Sequence, residues 1–200
     1  MKITAILAAS LSLCMIVSAS YSYAEDSLEY SVKPNRELTK IQHNQLDTLF
    51  ASLRNAKSAV EAYGHEKEIW RIWMTPKNEE LAALMFTAMG HIDAERYKEA
   101  VITLDSVVLR FPRYAEGWNQ RAFAHFHLDQ YRESLDDIAK TLKLEPRHFG
   151  AMSGRGIIYI NRGETLLAKE TLIHAMNYHP YLPSRNLLLT IPAEVKESFI

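Results

Sequence analysis

Residues 117–135 read GWNQRAFAHFHLDQYRESL. A large residue, Trp118, is followed four positions on by Ala122 and twelve after that by Ser134. The spacing recurs on both sides of this stretch. Pro112, Pro146 and Pro180 stand 34 residues apart, each closing an apolar run: VVLRFP, TLKLEP and AMNYHP. A small residue stands 24 positions before each proline (Ala88, Ala122, Gly156) and another 12 before (Ala100, Ser134, Ala168). Leu104, Ile138 and Leu172 share a third position, and Val107, Thr141 and Ala175 a fourth. Three in-phase copies over 81–182 predict an all-α array of helical hairpins.

Close packing of antiparallel helices explains the spacing. The first small residue sits midway along the first helix of each pair, helix A, and the second on helix B, where the axes approach most closely. A large side chain at either place would force them apart. Trp118, one turn before its small residue, fills the space between pairs, with Leu84 and Met152 as its equivalents. Proline lacks an N–H and clashes with a continuing helix, so each helix B ends near it.

These copies resemble the tetratricopeptide repeat, with its signature Trp-x2-Leu-Gly-x2-Tyr…Ala-x3-Phe…Pro. The third copy, 149–182, carries Gly156, Tyr159, Ala168, Leu172, Ala175 and Pro180. The second, 115–148, has Trp118, Ala122, Ser134, Ile138 and Pro146, with His125 where Tyr is usual. The first, 81–114, keeps Ala88, Ala100, Leu104 and Pro112. The resemblance implies a right-handed superhelix whose helices A line a concave groove for a protein or peptide.

The groove positions implied by the resemblance are the second, fifth, ninth, twelfth and thirteenth of each copy. They fall on Ala82, Glu116 and Gly150; Met85, Asn119 and Ser153; Met89, Phe123 and Ile157; Ile92, Phe126 and Ile160; Asp93, His127 and Asn161. Members of the family that grip a C-terminal carboxylate do so with Lys, Arg and Asn. Asn119 and Asn161 are present here without the cations, so this groove is not expected to be a carboxylate clamp. Its apolar stripe calls for a cover: a partner's apolar segment, the chain's own hairpin (Leu49, Phe50, Trp70, Trp73) or its tail (Leu187, Leu188, Ile191, Phe199).

Outside the array, Leu46, Leu49, Phe50 and Leu53 have helical spacing. A second helical stretch includes Ile69, Trp70, Ile72 and Trp73, with Pro76 as a stop signal. Residues 45–75 are therefore read as a hairpin, or as a degenerate fourth copy in which Glu66 stands at a small-residue position. Residues 25–44 read as a flexible lead-in and 183–200 as a C-terminal capping segment. At the N-terminus, Lys2, the apolar run from Ile3 to Val17 and the ending Ser22-Tyr23-Ala24 read as a signal peptide, 1–24, cleaved after Ala24. The run, about 15 residues, is short of the ~20 that a spanning helix needs. Cys14 follows Leu13, which is not the small residue a lipid-modified cysteine requires. The stretches EIWRIW, AEGWNQRA and LEPRHFGA resemble a group of secreted bacterial repeat proteins, a likeness that implies no particular activity.

The chain has 200 residues and formal charge −1, so no basic face points to nucleic acid. Cys14, its one cysteine, falls in the leader, leaving the mature protein without disulfide or thiol chemistry. His125 and His127 are two apart on a helix, not the i, i+4 of a helical metal pair, and His174 and His179 have no third ligand. No metal or cofactor is expected, and no nucleophile elbow, phosphate loop or zinc-protease motif occurs; SGRGII at 153–158 falls in a repeat helix. Arg121 and Arg155 stand one period apart and read either as inter-repeat ion pairs, with Asp105 and Asp137 as partners, or as an anion-binding ladder. The expected function is a non-enzymatic scaffold or adaptor in the bacterial envelope, periplasmic or secreted and not an integral membrane protein. The alternatives are an envelope enzyme or solute-binding protein using the two arginines, and a structural self-associating protein.

Overall fold

The computed structural model describes residues 38–191. The leader at 1–24, the lead-in through residue 37 and tail residues 192–200, with Phe199, lie outside the described residues. Eight α-helices are described: α1 (Lys40–Asn55), α2 (Ala59–Met74), α3 (Glu79–Asp93), α4 (Tyr97–Arg110), α5 (Ala115–His127), α6 (Tyr131–Leu144), α7 (Phe149–Asn161) and α8 (Thr165–Met176). A 3-10 segment, Pro183–Leu189, follows.

Helix α1 begins inside the stretch read as a flexible lead-in through residue 44. A capping box fixes its start: the Thr39 hydroxyl accepts from the Gln42 N–H at 3.2 Å, and Gln42 Oε1 accepts from the Thr39 N–H at 2.9 Å. The apolar stripe starts only at Leu46, so periodicity alone misses this first turn. Ser58 and Asn78 cap α2 and α3 in the same N-terminal manner.

Helices α3 and α4, α5 and α6, and α7 and α8 form three antiparallel pairs. The turn inside each pair carries a left-handed residue: Glu95 (φ 56°), Asp129 (φ 59°) and Gly163 (φ 73°), one period apart. The N–H after each closes back on helix A: Arg96 to His91, Gln130 to His125 and Glu164 to Tyr159, at 2.8–2.9 Å. This is the Schellman ending of a helix. Gly163 takes the conformation freely, whereas Glu95 and Asp129 hold it against roughly 1–2 kcal/mol of steric cost.

Within the pairs, Ala88, Ala100, Ala122, Ser134, Gly156 and Ala168 are all buried. The Ser134 hydroxyl donates to the Ala122 carbonyl at 2.8 Å, so the two small residues of one pair are in contact. A Cβ on Gly156 would come within 2.8 Å of the Leu172 Cδ2. Helices α4, α6 and α8 end at Arg110, Leu144 and Met176, shortly before Pro112, Pro146 and Pro180. Trp118 is half-buried; its indole N–H donates to the Pro112 carbonyl at 2.9 Å, and Arg121 lies over its ring. Tyr159 is half-buried as well.

The hairpin of α1 and α2 does not extend the stack as a fourth copy before α3. Leu46, Phe50, Leu53, Ile69, Ile72 and Trp73 form one core cluster with Phe149, Met152, Ala175 and Leu182 of the third copy. Leu81, Met85, Leu104, Val107 and Phe111 form another, around α3 and α4. The hairpin lies across the turns between copies, where Tyr114, His148 and Leu182 repeat at one position. The Tyr114 hydroxyl donates to the Trp73 carbonyl, His148 stacks on Trp73 at 4.1 Å, and Leu182 joins the cluster. Arg147 binds Asp47 at 2.7 Å and Glu145 at 2.8 Å while covering the Phe50 ring. Glu66 Oε2 lies 3.1 Å from Nε2 of the buried His179.

Candidate functional site

A cleft of about 380 Å³ opens between α3, α5 and α7. Met89 and Ile92 come from α3, Asn119, Phe123 and Phe126 from α5, and Ile157 from α7. Ser134 and Ile138 of α6 form its back wall, and Trp70 of α2 reaches its edge. Phe123, 43% exposed, presents the most open ring of the set. No lysine or arginine is among the described residues lining it.

Behind the lining residues Asn119 and Gln120 lies a buried carboxylate, Glu116. Glu116 Oε2 lies 2.8 Å from His148 Nε2, and both side chains are fully enclosed. The His148 Nδ1 accepts from the Ala151 N–H at 3.1 Å, which leaves Nε2 as the nitrogen facing Glu116. Asn119 and Gln120 donate their amides to the other oxygen, Oε1. Held by three donors and 1% exposed, Glu116 is satisfied within the fold and closed to a ligand. This assembly was not legible in the sequence, since its members lie 32 residues apart and belong to no motif.

Of the residues assigned to the groove, Met89, Ile92, Asn119, Phe123, Phe126, Gly150 and Ile157 meet in the cleft. Met85 does not: it is 2% exposed and packs in the core of α3 and α4, an unbranched side chain filling the space that Leu81 and Leu104 leave. His127 stands at the rim, stacked flat on Tyr97 at 4.5 Å and tilted against Phe123 at 4.4 Å. Ile160 is half-buried outside the cleft lining, and Asn161 reaches the Tyr131 hydroxyl at 3.5 Å. Among the described residues, the hairpin reaches the cleft only with Trp70 at its edge, and no tail residue through Ile191 lines it. Phe50 and Trp73 pack on Phe149 instead, and Ser184 of the 3-10 segment meets Ser153 at 2.9 Å. Leu187, Leu188 and Ile191 are half-buried.

The two arginines do not form a ladder. Arg121 grips Asp137 with two bonds, at 2.8 and 2.7 Å, and Asp105 with a third at 2.8 Å. The Asp137 carboxylate, as the larger cause, raises the Arg121 guanidinium above its ordinary value. One period on, the acid positions hold Thr171 and Ala139, and the Arg155 Nε is buried without a partner. The anion-ladder reading falls because Arg121 is fully engaged by acids and the pattern does not recur. Among the described residues no group of three or more His, Cys, Asp or Glu is placed to hold a metal. No described helix is long and apolar enough to cross a membrane.

Over 180 residues the chain is 31% identical to a TPR repeat-containing protein of Rhizobium etli, covering 90% of this chain and 88% of that one. The chain belongs to the tetratricopeptide repeat proteins. It matches no family model. Among solved structures, its tetratricopeptide superhelix is similar to the complex of the TPR2AB domain of yeast Sti1 with pHSP90. There the TM-score is 0.51 at 20% identity, over 75% of this chain and 60% of that one. A looser likeness, TM-score 0.48 at 16% identity, is to the MamA RS-1 ArsTM double mutant, over 86% of this chain and 92% of that one.

Proposed function

We propose that this tetratricopeptide protein is a non-catalytic interaction module of the bacterial envelope whose cleft receives an uncharged, apolar segment of a partner protein. The observation that carries the reading is the open cleft itself, walled by Met89, Ile92, Phe123, Phe126 and Ile157. A connected apolar surface of this kind marks a contact site. The lining chemistry supports the choice of partner: among the described residues no lysine or arginine lines the cleft to meet a carboxylate. Export is supported by the leader-like sequence at 1–24.

The test is partner capture from envelope fractions by the mature protein and by its Phe123→Asp variant. Phe123 is exposed enough for the variant to fold, and a charge there opposes an apolar ligand. The expected result is loss of the partner at an unchanged melting temperature; capture of the same partner by the folded variant overturns the reading. Intact-mass analysis should find Glu25 as the first residue. A retained Met1 removes the envelope assignment. A melting temperature and sedimentation coefficient that rise with concentration, and stop rising in the Phe123→Asp variant, would instead make a second copy the occupant.

A further inference from the structure

The last helix of the array, α8, turns apolar residues outward where its counterparts carry charge. Leu166 and Leu167 open its first turn and Ile173 stands two turns on, at 63, 46 and 45% exposed. The positions of the two leucines are exposed on α4 and α6 as well, where they hold Lys98 and Glu99, then Arg132 and Glu133. The fold leaves this turn to solvent in every copy. Two copies fill it with charged pairs and the third with leucines. Apolar residues grouped on one exposed face mark a contact, whereas single ones need no explanation.

The face does not receive a further repeat. Val101 and Leu135 are half-buried where α4 and α6 meet the next copy, Val101 in the cluster with Tyr114 and Ala124 and Leu135 in the cluster with Ala151 and Ile158. The equivalent residue on α8 is Lys169, which is exposed. A polar residue at that seat ends a stack.

Glu170, exposed too, follows it. Leu166, Lys169, Glu170 and Ile173 stand at i, i+3, i+4 and i+7, one face of the helix, opposite the buried Ala168, Leu172 and Ala175. This face complements itself. Two α8 helices laid antiparallel about a two-fold axis between positions 169 and 170 bring Leu166 of one copy against Ile173 of the other. The same pairing sets Lys169 against Glu170, and each contact is made twice. A parallel pairing in register would instead set lysine on lysine.

We propose that α8 is the contact face of a symmetric dimer, whose occupant is a second copy of this chain. Leu166 and Ile173 supply the apolar contact, with Leu167 at its flank, and Lys169 against Glu170 sets the register. The 12 residues of α8 span about 18 Å. One helix face of that length falls short of the ~1,200 Å² of a standard interface, so the dimer is weak. The face lies apart from the cleft, so the dimer stands or falls separately from the partner-binding reading.

The test is sedimentation of the full mature protein from about 5 µM to about 1 mM, a range that brackets micromolar dissociation constants. The expected result is a mass that rises from one chain toward two. Leu166→Asp should abolish the rise. Lys169→Glu sets carboxylate against carboxylate twice and should weaken the dimer by about ten-fold or more. Adding Glu170→Lys to it exchanges the pair and should restore the affinity. These side chains are exposed, so each variant should keep the parent's melting temperature at the lowest concentration. A single-chain mass throughout overturns the proposal; if truncation after Ile191 then releases a dimer, the tail is the occupant. A dimer that Leu166→Asp leaves intact also overturns it, as does one that Phe123→Asp abolishes, which places the contact in the cleft. So does an affinity that Lys169→Glu leaves unchanged or that the exchanged pair fails to restore.

Discussion

Gly150→Val should release the hairpin from the repeat array. Gly150 lies in the first turn of α7, under the Trp70 ring. A Cβ added there would stand 2.6 Å from Trp70 Cη2 and 2.9 Å from Cζ2. Carbon contacts are comfortable at about 3.5–4.0 Å, so the indole must retreat by roughly 1 Å. Behind it stand Trp73, Phe149 and His148, with ring centroids 5.2, 5.5 and 5.6 Å away, all edge-on. The ring cannot move without losing part of those contacts, each worth about 0.5–1.5 kcal/mol. With an overpacking cost of about 1–3 kcal/mol, and a few tenths returned by valine's better helix propensity, the net loss is about 2–3 kcal/mol. Gly154, one turn on, is the control. A Cβ there meets only Ile138 Cδ1, at an ordinary 3.7 Å, so Gly154→Ala should be neutral or stabilising by up to about 1 kcal/mol. Urea denaturation gives the stabilities, and amide exchange locates the loss, which should fall on Lys40–Met74 more than on Tyr97–Arg110. A Gly150→Val loss below about 0.5 kcal/mol, the scale of an ordinary surface change, or unchanged exchange in α1 and α2, would refute the docking argument.

Four further outcomes are expected. Ala122→Leu should destabilise by roughly 1–3 kcal/mol through overpacking, plus about 1 kcal/mol for the lost Ser134 bond; an unchanged melting temperature would contradict the repeat phase. Asp137→Ala strands a guanidinium from a carboxylate that is only 4% exposed, and should cost roughly 2–3 kcal/mol. Asp105→Ala, at a carboxylate 57% exposed, should cost under about 1 kcal/mol by the same denaturation measurement. His179, as the main cause, holds the Glu66 carboxyl below its ordinary 4.5. A depressed carboxylate stabilises the fold fully above the unfolded value and ceases to do so as pH falls through the folded one. Melting curves between about pH 6 and 3 should therefore fall less steeply for Glu66→Gln than for the parent; equal slopes would remove the pair from the acid response.

The array was legible because its packing rule is local. Ala122 and Ser134 touch across twelve residues of sequence, and buried small residues recur at the same spacing in every copy, so the constraint repeats on the chain. The turn residues Glu95 and Asp129 left no signal, because only Gly163 has the residue type that a left-handed position favours. The docking of the hairpin left none either. Trp70 against Gly150 and Asp47 against Arg147 join residues 80 to 100 positions apart, through side chains that no period repeats. Seven cleft residues followed from the family frame, whereas Met85 moved to the core because a flexible thioether fills the gap where its equivalents Asn119 and Ser153 remain polar and partly open. Arg155 broke the analogy with Arg121 for want of acids at 139 and 171.

A stack of repeats that touches only its neighbours behaves like a string of beads, able to lose an end bead without disturbing the rest. The hairpin docked on the third copy turns this string into a loop with a clasp. Neither end can then fray alone: truncation after residue 148 would strip α1 and α2 of Phe149, Met152, Ala175 and Leu182, and removal of the hairpin would bare the same four. Closing the clasp must wait for about a hundred residues to be ordered, an entropic demand that grows by only about 0.6 kcal/mol per doubling of loop length, yet long-range contacts of this kind slow folding. The pairs α3 to α8 can therefore assemble early from local contacts, with the hairpin seated last, and unfolding should then run as one cooperative event instead of a peeling from either end.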